Sequence, residues 1–205
     1  MFLLATVIVV SCTHKGFKRS WTKEQSPQSF SARFETSKGN FDIEVYREQS
    51  PQAADRLYQL LKHKYFDNNL FYRVVPNFVV QFGSIDTVTT LQWEKYKVPD
   101  EPVTKSNTKS AISFARAGKD TRGTQLFINL KDNPRLDTLS YEGVIGFPVF
   151  GKVINGMSVI EALYGGYGDE TMSVFDSLAS NRERFSAKFP QLDSIKQAYI
   201  IEVKK

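Results

Sequence analysis

Hydrophobic and polar positions alternate along much of this chain, and the alternation marks strands. Residues 30–36 and 41–46 are short runs rich in aromatic and β-branched side chains, separated by Ser37-Lys38-Gly39-Asn40, which is the pattern of a hairpin. Ser50-Pro51 reads as an N-cap followed by proline at the first helical position. Ala53, Ala54, Leu57, Tyr58, Leu60 and Leu61 then form a helical stripe as far as Lys62. His63 falls at the end of this helix, a place that suits a favourable charge better than a catalytic group. Residues 70–82 are strand material interrupted by Pro76-Asn77, and 84–110, polar and carrying Pro99 and Pro102, reads as a long surface loop. Residues 111–115, 125–130 and 149–154 are further short strands, and 157–163 predicts a short helix ending at Gly165-Gly166. Phe175, Leu178, Phe185 and Phe189 mark one face of an amphipathic helix over 173–188, stopped by Pro190, before a closing strand at 198–203. Many short strands with few helices predict a mainly β fold, a closed barrel with helices at its ends.

At roughly 100–200 residues per domain, 205 residues suggest one domain with a tail. Hydrophobic residues at 41% and charged residues at 24% exclude a disordered, collagen-like or low-complexity chain, and 16 Phe and 9 Tyr are ample for one core. Of the 27 Lys and Arg, four (Lys15, Lys18, Arg19 and Lys23) lie in residues 1–23 with no acid among them, leaving 23 bases against 22 acids in the rest. A nearly neutral body behind a basic tail gives no support for a nucleic-acid partner.

Residues 1–10 are apolar except for Thr6. As a helix they span about 15 Å, half of a hydrocarbon core of about 30 Å, too short to cross a membrane and suited to the core of a signal peptide. The run ends in Val9-Val10-Ser11-Cys12, which resembles a bacterial lipobox, although no Lys or Arg precedes it. The resemblance implies cleavage after Ser11, lipidation of Cys12 and attachment to a membrane. The expected organisation is a signal peptide over 1–11, a lipidated Cys12 with a flexible basic tether over 12–29, and one domain over 30–205. The tether's bases either touch anionic headgroups or are simply solvated. Thr13, rather than the Asp that retains some bacterial lipoproteins at the inner membrane, points to the periplasmic side of an outer membrane.

Reactive chemistry is sparse. No Gly-rich phosphate loop and no nucleophile elbow occur, one cysteine cannot form an intramolecular disulfide, and two histidines cannot build a multi-histidine metal site. Asp42 and Glu44 alternate on a strand as solvated carboxylates do. No metal and no cofactor are expected. An enzyme of this composition works by binding and electrostatics.

One segment is specific. Phe71-Tyr72-Arg73-Val74-Val75-Pro76-Asn77-Phe78-Val79-Val80-Gln81-Phe82-Gly83 resembles the F-H-R-x-x-P-x-F-x-x-Q-x-G motif of cyclophilin-type peptidyl-prolyl cis-trans isomerases. Gly123-Thr124-Gln125-Leu126-Phe127-Ile128 resembles G-S-Q-F-F-I, and Val149-Phe150-Gly151-Lys152-Val153 followed by Gly156-Met157 resembles V-F-G-K-V-x-x-G-M. Ser113-Phe114-Ala115-Arg116 and Leu136-Asp137 are smaller matches, and order and spacing hold across 30–203. The resemblance implies a closed eight-stranded antiparallel barrel capped by two helices, here with an extra C-terminal helix, in a bacterial lipoprotein subgroup. It implies a monomer that acts on proline-containing polypeptides.

The implied reaction suits these residue types. Resonance sets a barrier of about 18–20 kcal/mol to peptide-bond rotation, and an X–Pro bond left alone isomerises over about 10–100 s. Twisting the bond frees the nitrogen lone pair, so a fixed cation near that nitrogen and donors to the displaced carbonyl lower the barrier with no bond broken. The resemblance assigns the cation to Arg73 and its positioning to Gln81. It assigns the proline pocket to Phe78, Val79, Phe127, Leu136 and Phe147, and contacts with the substrate backbone to Ala115, Arg116 and Gln125. Departures from the family pattern are Val79 for Met, Tyr72 for His, Arg116 for Asn, Arg135 for Trp and Phe147 for His. Losing the histidine removes one hydrogen bond, about 0.5–1.5 kcal/mol. Two other readings stay open beside an isomerase that assists exported proteins. One is a proline-peptide-binding module or chaperone with little turnover, and the other is a structural lipoprotein.

Overall fold

The computed structural model describes residues 16–204. Cys12, the apolar run before it and the first part of the tether lie outside the described residues. Ten strands and six α-helices follow one another as β1 (Ser29–Thr36), β2 (Gly39–Tyr46), α1 (Pro51–Lys62), β3 (Arg73–Val75), β4 (Val79–Phe82), α2 (Thr87–Glu94), β5 (Ala111–Phe114), β6 (Leu126–Asn129), α3 (Arg135–Thr138), β7 (Ser140–Tyr141), β8 (Val144–Ile145), β9 (Val149–Asn155), α4 (Met157–Glu161), α5 (Asp176–Ser180), α6 (Arg182–Lys188) and β10 (Ile195–Lys204). Eight strands form one antiparallel sheet in the order β10-β1-β2-β9-β5-β6-β4-β3, and β7 and β8 form a separate hairpin.

The sheet curls around the core as a half-barrel and stays open, where a closed barrel was expected. No ladder joins its end strands β3 and β10. The segment before β3 meets β10 instead, through the Leu70–Ser194 bridge and bonds from Phe71 N to Asp193 O (3.0 Å), Ile195 N to Asn69 O (2.8 Å) and Asn68 N to Lys196 O (3.3 Å). The other edge of the three-residue β3 bridges to Gly168 through Val74.

The β1–β2 hairpin forms as its pattern predicts, with Phe34 and Phe41 directly opposed and stacked at 4.9 Å. α1 lays Ala53, Ala54, Leu57, Leu60 and Leu61 on the inner core, where each buried Leu contributes about 1.5–3 kcal/mol. Ser50 holds the N-cap position, but its hydroxyl does not accept a helix N–H. Glu101 caps the helix instead, accepting from Gln52 N (2.9 Å), Ala53 N (3.2 Å) and the Ser50 hydroxyl, and it also pairs with the buried Arg122 at 2.9 Å. A carboxylate from a distant loop thus satisfies helix donors that no local side chain reaches.

Four further expectations are corrected. The 84–110 stretch is not simply a surface loop, because it contains α2, capped by Asp86 accepting from Thr89 N at 2.8 Å, and buries Trp93 and Asn107. Its apolar Val88 and Leu91 face solvent, so no apolar stripe marked the helix. The 173–188 helix is broken into a 3-10 turn (Glu170–Val174), α5 and α6. Asn181 leaves the helical region at φ −151° and caps α6 by accepting from Arg184 N at 3.0 Å. The tether is docked from Phe17 onward. A 3-10 turn at Arg19–Lys23 stacks Trp21 on His63 at 3.9 Å, Phe17 meets the Trp93 ring edge-on at 5.1 Å, and Glu24 accepts from Gln59 and contacts His63. Asp42 is also buried rather than solvated, paired with Arg33 through two bonds of 2.8 and 3.0 Å that hold its carboxyl below the usual range.

A second apolar cluster lies outside the main core. Leu70 and Tyr72 pack with Leu178, Phe185 and Phe189, so the segment between α4 and β10 covers the open sheet edge at β3.

Glu101→Gln is expected to lower unfolding free energy by about 1–3 kcal/mol in denaturant titration, because it removes the nearer carboxylate of the buried Arg122, whose other carboxylate, Asp100, stands at 3.9 Å, and the negative charge at the start of α1. An unchanged midpoint would contradict this assignment.

Candidate active site

Strand register builds one face of the site. β3 pairs with β4 so that Arg73 lies opposite Gln81, and β4 pairs with β6 so that Gln81 lies opposite Phe127. The β3–β4 turn takes Asn77 into the left-handed region at φ 58°, which follows from the Pro76-Asn77 interruption and places Phe78 beside Arg73. The Arg73 guanidinium carbon stands 5.7 Å from the Phe78 ring centroid.

A cavity of about 240 Å³ opens here, lined by Arg73, Phe78, Val79, Gln81, Ala115, Arg116, Phe127, Leu136, Phe147 and Met172. Every pocket and backbone-contact residue proposed from the sequence lines it except Gln125, which stands behind Gln81. Val79, Phe127 and Leu136 form a buried apolar floor, with Phe147 set edge-on to Phe127 at 5.6 Å. A floor of this kind accepts a pyrrolidine ring and offers its amide no competing hydrogen bonds.

The polar side is a line of hydrogen bonds. The Tyr72 hydroxyl donates to Gln125 Oε1 at 2.8 Å, and Gln81 Nε2 donates to the same oxygen at 3.3 Å. Arg73 Nη1 donates to Gln81 Oε1 at 3.1 Å, and Arg73 Nε donates to Asp169 Oδ1 at 2.5 Å. Burial pushes the Tyr72 phenol well above its ordinary value, so it remains a donor. Nη2 of Arg73 has no protein partner among the described residues and remains available to a ligand oxygen.

The opposite wall is braced from behind. Arg116 turns its side chain inward, 1% exposed, with its guanidinium 4.6 Å from the Phe147 ring and donating to Gly146 O and Val144 O. Burial lowers its pKa from the usual arginine range. Its role in the pocket is therefore to support Phe147, while Ala115 N, bonded to Gln125 O at 2.9 Å, ties this strand end to β6. Asn107 donates to Phe147 O (2.9 Å) and Asp137 Oδ1 (2.8 Å), and Asn133 donates to Phe78 O (3.0 Å). Arg135 is exposed next to the buried Leu136. Asn107, Asn133, Asp169 and Met172 were not singled out from the sequence. Asn133 sits in Asn133-Pro134-Arg135-Leu136-Asp137 beside a matched residue and could have been found there, whereas nothing local marks the other three. No group of three or more His, Cys, Asp or Glu suited to a metal occurs among the described residues.

Comparison with known proteins identifies the family. Residues 31–178 match the model of the family "Cyclophilin type peptidyl-prolyl cis-trans isomerase/CLD". A peptidyl-prolyl cis-trans isomerase-like 1 of Aspergillus fumigatus is 32% identical over 134 residues, covering 63% of this chain and 79% of that protein. A peptidyl-prolyl cis-trans isomerase of Acinetobacter baylyi is 32% identical over 130 residues, covering 62% and 68%. One of Arabidopsis thaliana is 34% identical over 142 residues, covering 67% and 82%. The crystal structure of a cyclophilin-type isomerase of Cryptosporidium parvum shares the fold, with TM-score 0.58 and 21% identity over 86% of this chain and 99% of that one. A second structure of that protein, in the presence of the dipeptide Ala-Pro, aligns with TM-score 0.56 and 20% identity over 84% and 99%. The chain belongs to the cyclophilin-type peptidyl-prolyl cis-trans isomerases. Its relatives span fungi, a plant and a bacterium, a range that defines the family and no narrower subgroup.

Tyr72→Phe is expected to keep the fold, cost about 0.5–1.5 kcal/mol of stability and lower kcat/KM by about two- to tenfold, as Gln125 and then Gln81 lose a fixed partner. Peptide isomerisation assays against a melting curve measure both. Unaltered kcat/KM would remove Tyr72 from the site.

Proposed function

We propose that this isomerase uses Arg73 as the fixed cation of its reaction and acts on exported proteins while anchored by a lipid on Cys12. The observation carrying the mechanism is that Arg73, held by Gln81, borders an apolar cavity of about 240 Å³. A proline ring seated among Phe78, Val79, Phe127, Leu136 and Phe147 brings its preceding amide to the guanidinium. As that amide twists, its nitrogen gains a lone pair and the carbonyl swings away. The free Nη2 edge stabilises the twisted state more than either planar isomer, which is what lowers the barrier. No proton moves and no bond is broken, so the chemistry needs neither a nucleophile nor a titrating base. Family membership favours turnover over a binding module or a scaffold.

Support for the anchor is sequence alone: an apolar run of signal-peptide length, Ser11-Cys12, and the absence of any other cysteine. A bacterial envelope location, with Thr13 directing the protein to the outer membrane and an X–Pro step in exported clients as the target, completes the reading. The reading includes no cofactor and a monomeric enzyme.

The chain from residue 13 onward is expected to accelerate cis-to-trans relaxation of an Xaa-Pro peptide. Arg73→Ala is expected to lower kcat/KM by about 10²–10³ with the fold intact by circular dichroism. Activity surviving the substitution would refute the mechanism. In bacterial cells the full chain is expected to incorporate radiolabelled fatty acid, and Cys12→Ser to abolish that label. A label that persists in Cys12→Ser would refute the anchor.

A further inference from the structure

The segment between α4 and β10 does more than cover an edge. Its Gly168 bridges to Val74, next to Arg73 on β3, and Phe175 meets Tyr72 on the other side of that arginine at 4.8 Å. Leu178, fully buried, fixes the segment in the second core. Gly168 takes a left-handed φ of 51°, which turns the chain so that the next residue reaches the guanidinium. That residue is Asp169, whose carboxylate accepts from Arg73 Nε at 2.5 Å. Three residues on, Met172 reaches the same cavity.

We propose that Asp169 is a positioning residue of the isomerase site, and that the 3-10 turn behind it, through Met172, is a wall of the substrate groove. Arg73 stands on a three-residue edge strand with a long side chain, 22% exposed, and Gln81 alone holds one corner of its guanidinium. One bond lets the planar fork swing about that corner. A second bond at Nε fixes its plane and leaves Nη2 as the edge that meets substrate. Asp169 is 66% exposed, so its ion pair is screened by water and contributes little to folding. Removing it therefore tests orientation rather than stability. Met172, flexible and apolar, adapts its wall to different side chains beside the proline. This proposal rests on the reading of Arg73 as the reaction's cation.

The test uses the full chain and measures kcat and KM for Xaa-Pro peptide isomerisation, with melting temperatures, in Asp169→Asn, Asp169→Glu, Met172→Ala and Arg73→Ala. Asp169→Asn is expected to lower kcat by about three- to tenfold, with KM and melting temperature nearly unchanged, and Asp169→Glu to recover most of the loss. Met172→Ala is expected to raise KM and to leave kcat alone. If Arg73→Ala is inactive while Asp169→Asn keeps or raises kcat, or if Asp169→Glu loses as much as Asp169→Asn, the positioning role is overturned. An unchanged KM in Met172→Ala overturns the wall. If Arg73→Ala stays active, the reading of the cation fails first, and this proposal falls with it.

Discussion

A single guanidinium is tied down at the edge of an open sheet, and the proposed reaction depends on how that is done. Arg73 is an edge-strand residue beside an apolar pocket, and its side chain has enough freedom to leave the site unless it is tied. Pairing of β3 with β4 sets Gln81 opposite it, and pairing of β4 with β6 sets Phe127 opposite Gln81. Gln81 is itself held by Gln125, which accepts from a buried tyrosine hydroxyl. Each member is oriented by the one behind it, so the cation inherits its position from the core. Reactions without covalent steps place their whole demand on such orientation, because stabilising a twisted amide requires charge already in place.

The rest of the molecule protects that line from two sides. The second apolar cluster covers the exposed edge of β3 and keeps Tyr72 dry. On the far side, Asn107 holds the Phe147 carbonyl while Arg116 lies over the Phe147 ring, so the apolar wall opposite Arg73 is braced by polar groups. Glu101 joins α1 to Arg122 and fixes the long connection after β4. An apolar floor with buried polar supports leaves Nη2 of Arg73 as a donor with no competing protein acceptor among the described residues.

What was legible in the sequence was local. The first hairpin, α1 and the strands around Phe82, Phe114, Ile128 and Phe150 follow from short-range periodicity, and the residues around the cavity were legible as motifs in order. What was not legible depends on partners far along the chain. Asp169 lies 96 residues from Arg73, and Glu101 lies about fifty residues from the helix it caps. α2 was hidden because its apolar Val88 and Leu91 face outward and only Trp93 is buried. The broken helix at Asn181 and the open seam beside β3 depend on packing against Leu70 and Tyr72, which no pattern inside 173–188 encodes. The docked tether has the same origin, since the polar stretch around Trp21 reads as linker until His63 supplies a ring to stack on.

The central claim is that the Arg73 guanidinium is immobile before substrate arrives, and nitrogen NMR of that side chain measures it directly. In the free protein at neutral pH, the Arg73 Nε–H signal is expected to be protected from exchange. The two Nη groups are expected to give separate resonances, reflecting slow rotation about the Cζ–Nε bond. A single averaged Nη signal with rapid Nε–H exchange, as in a solvated arginine, would contradict the account.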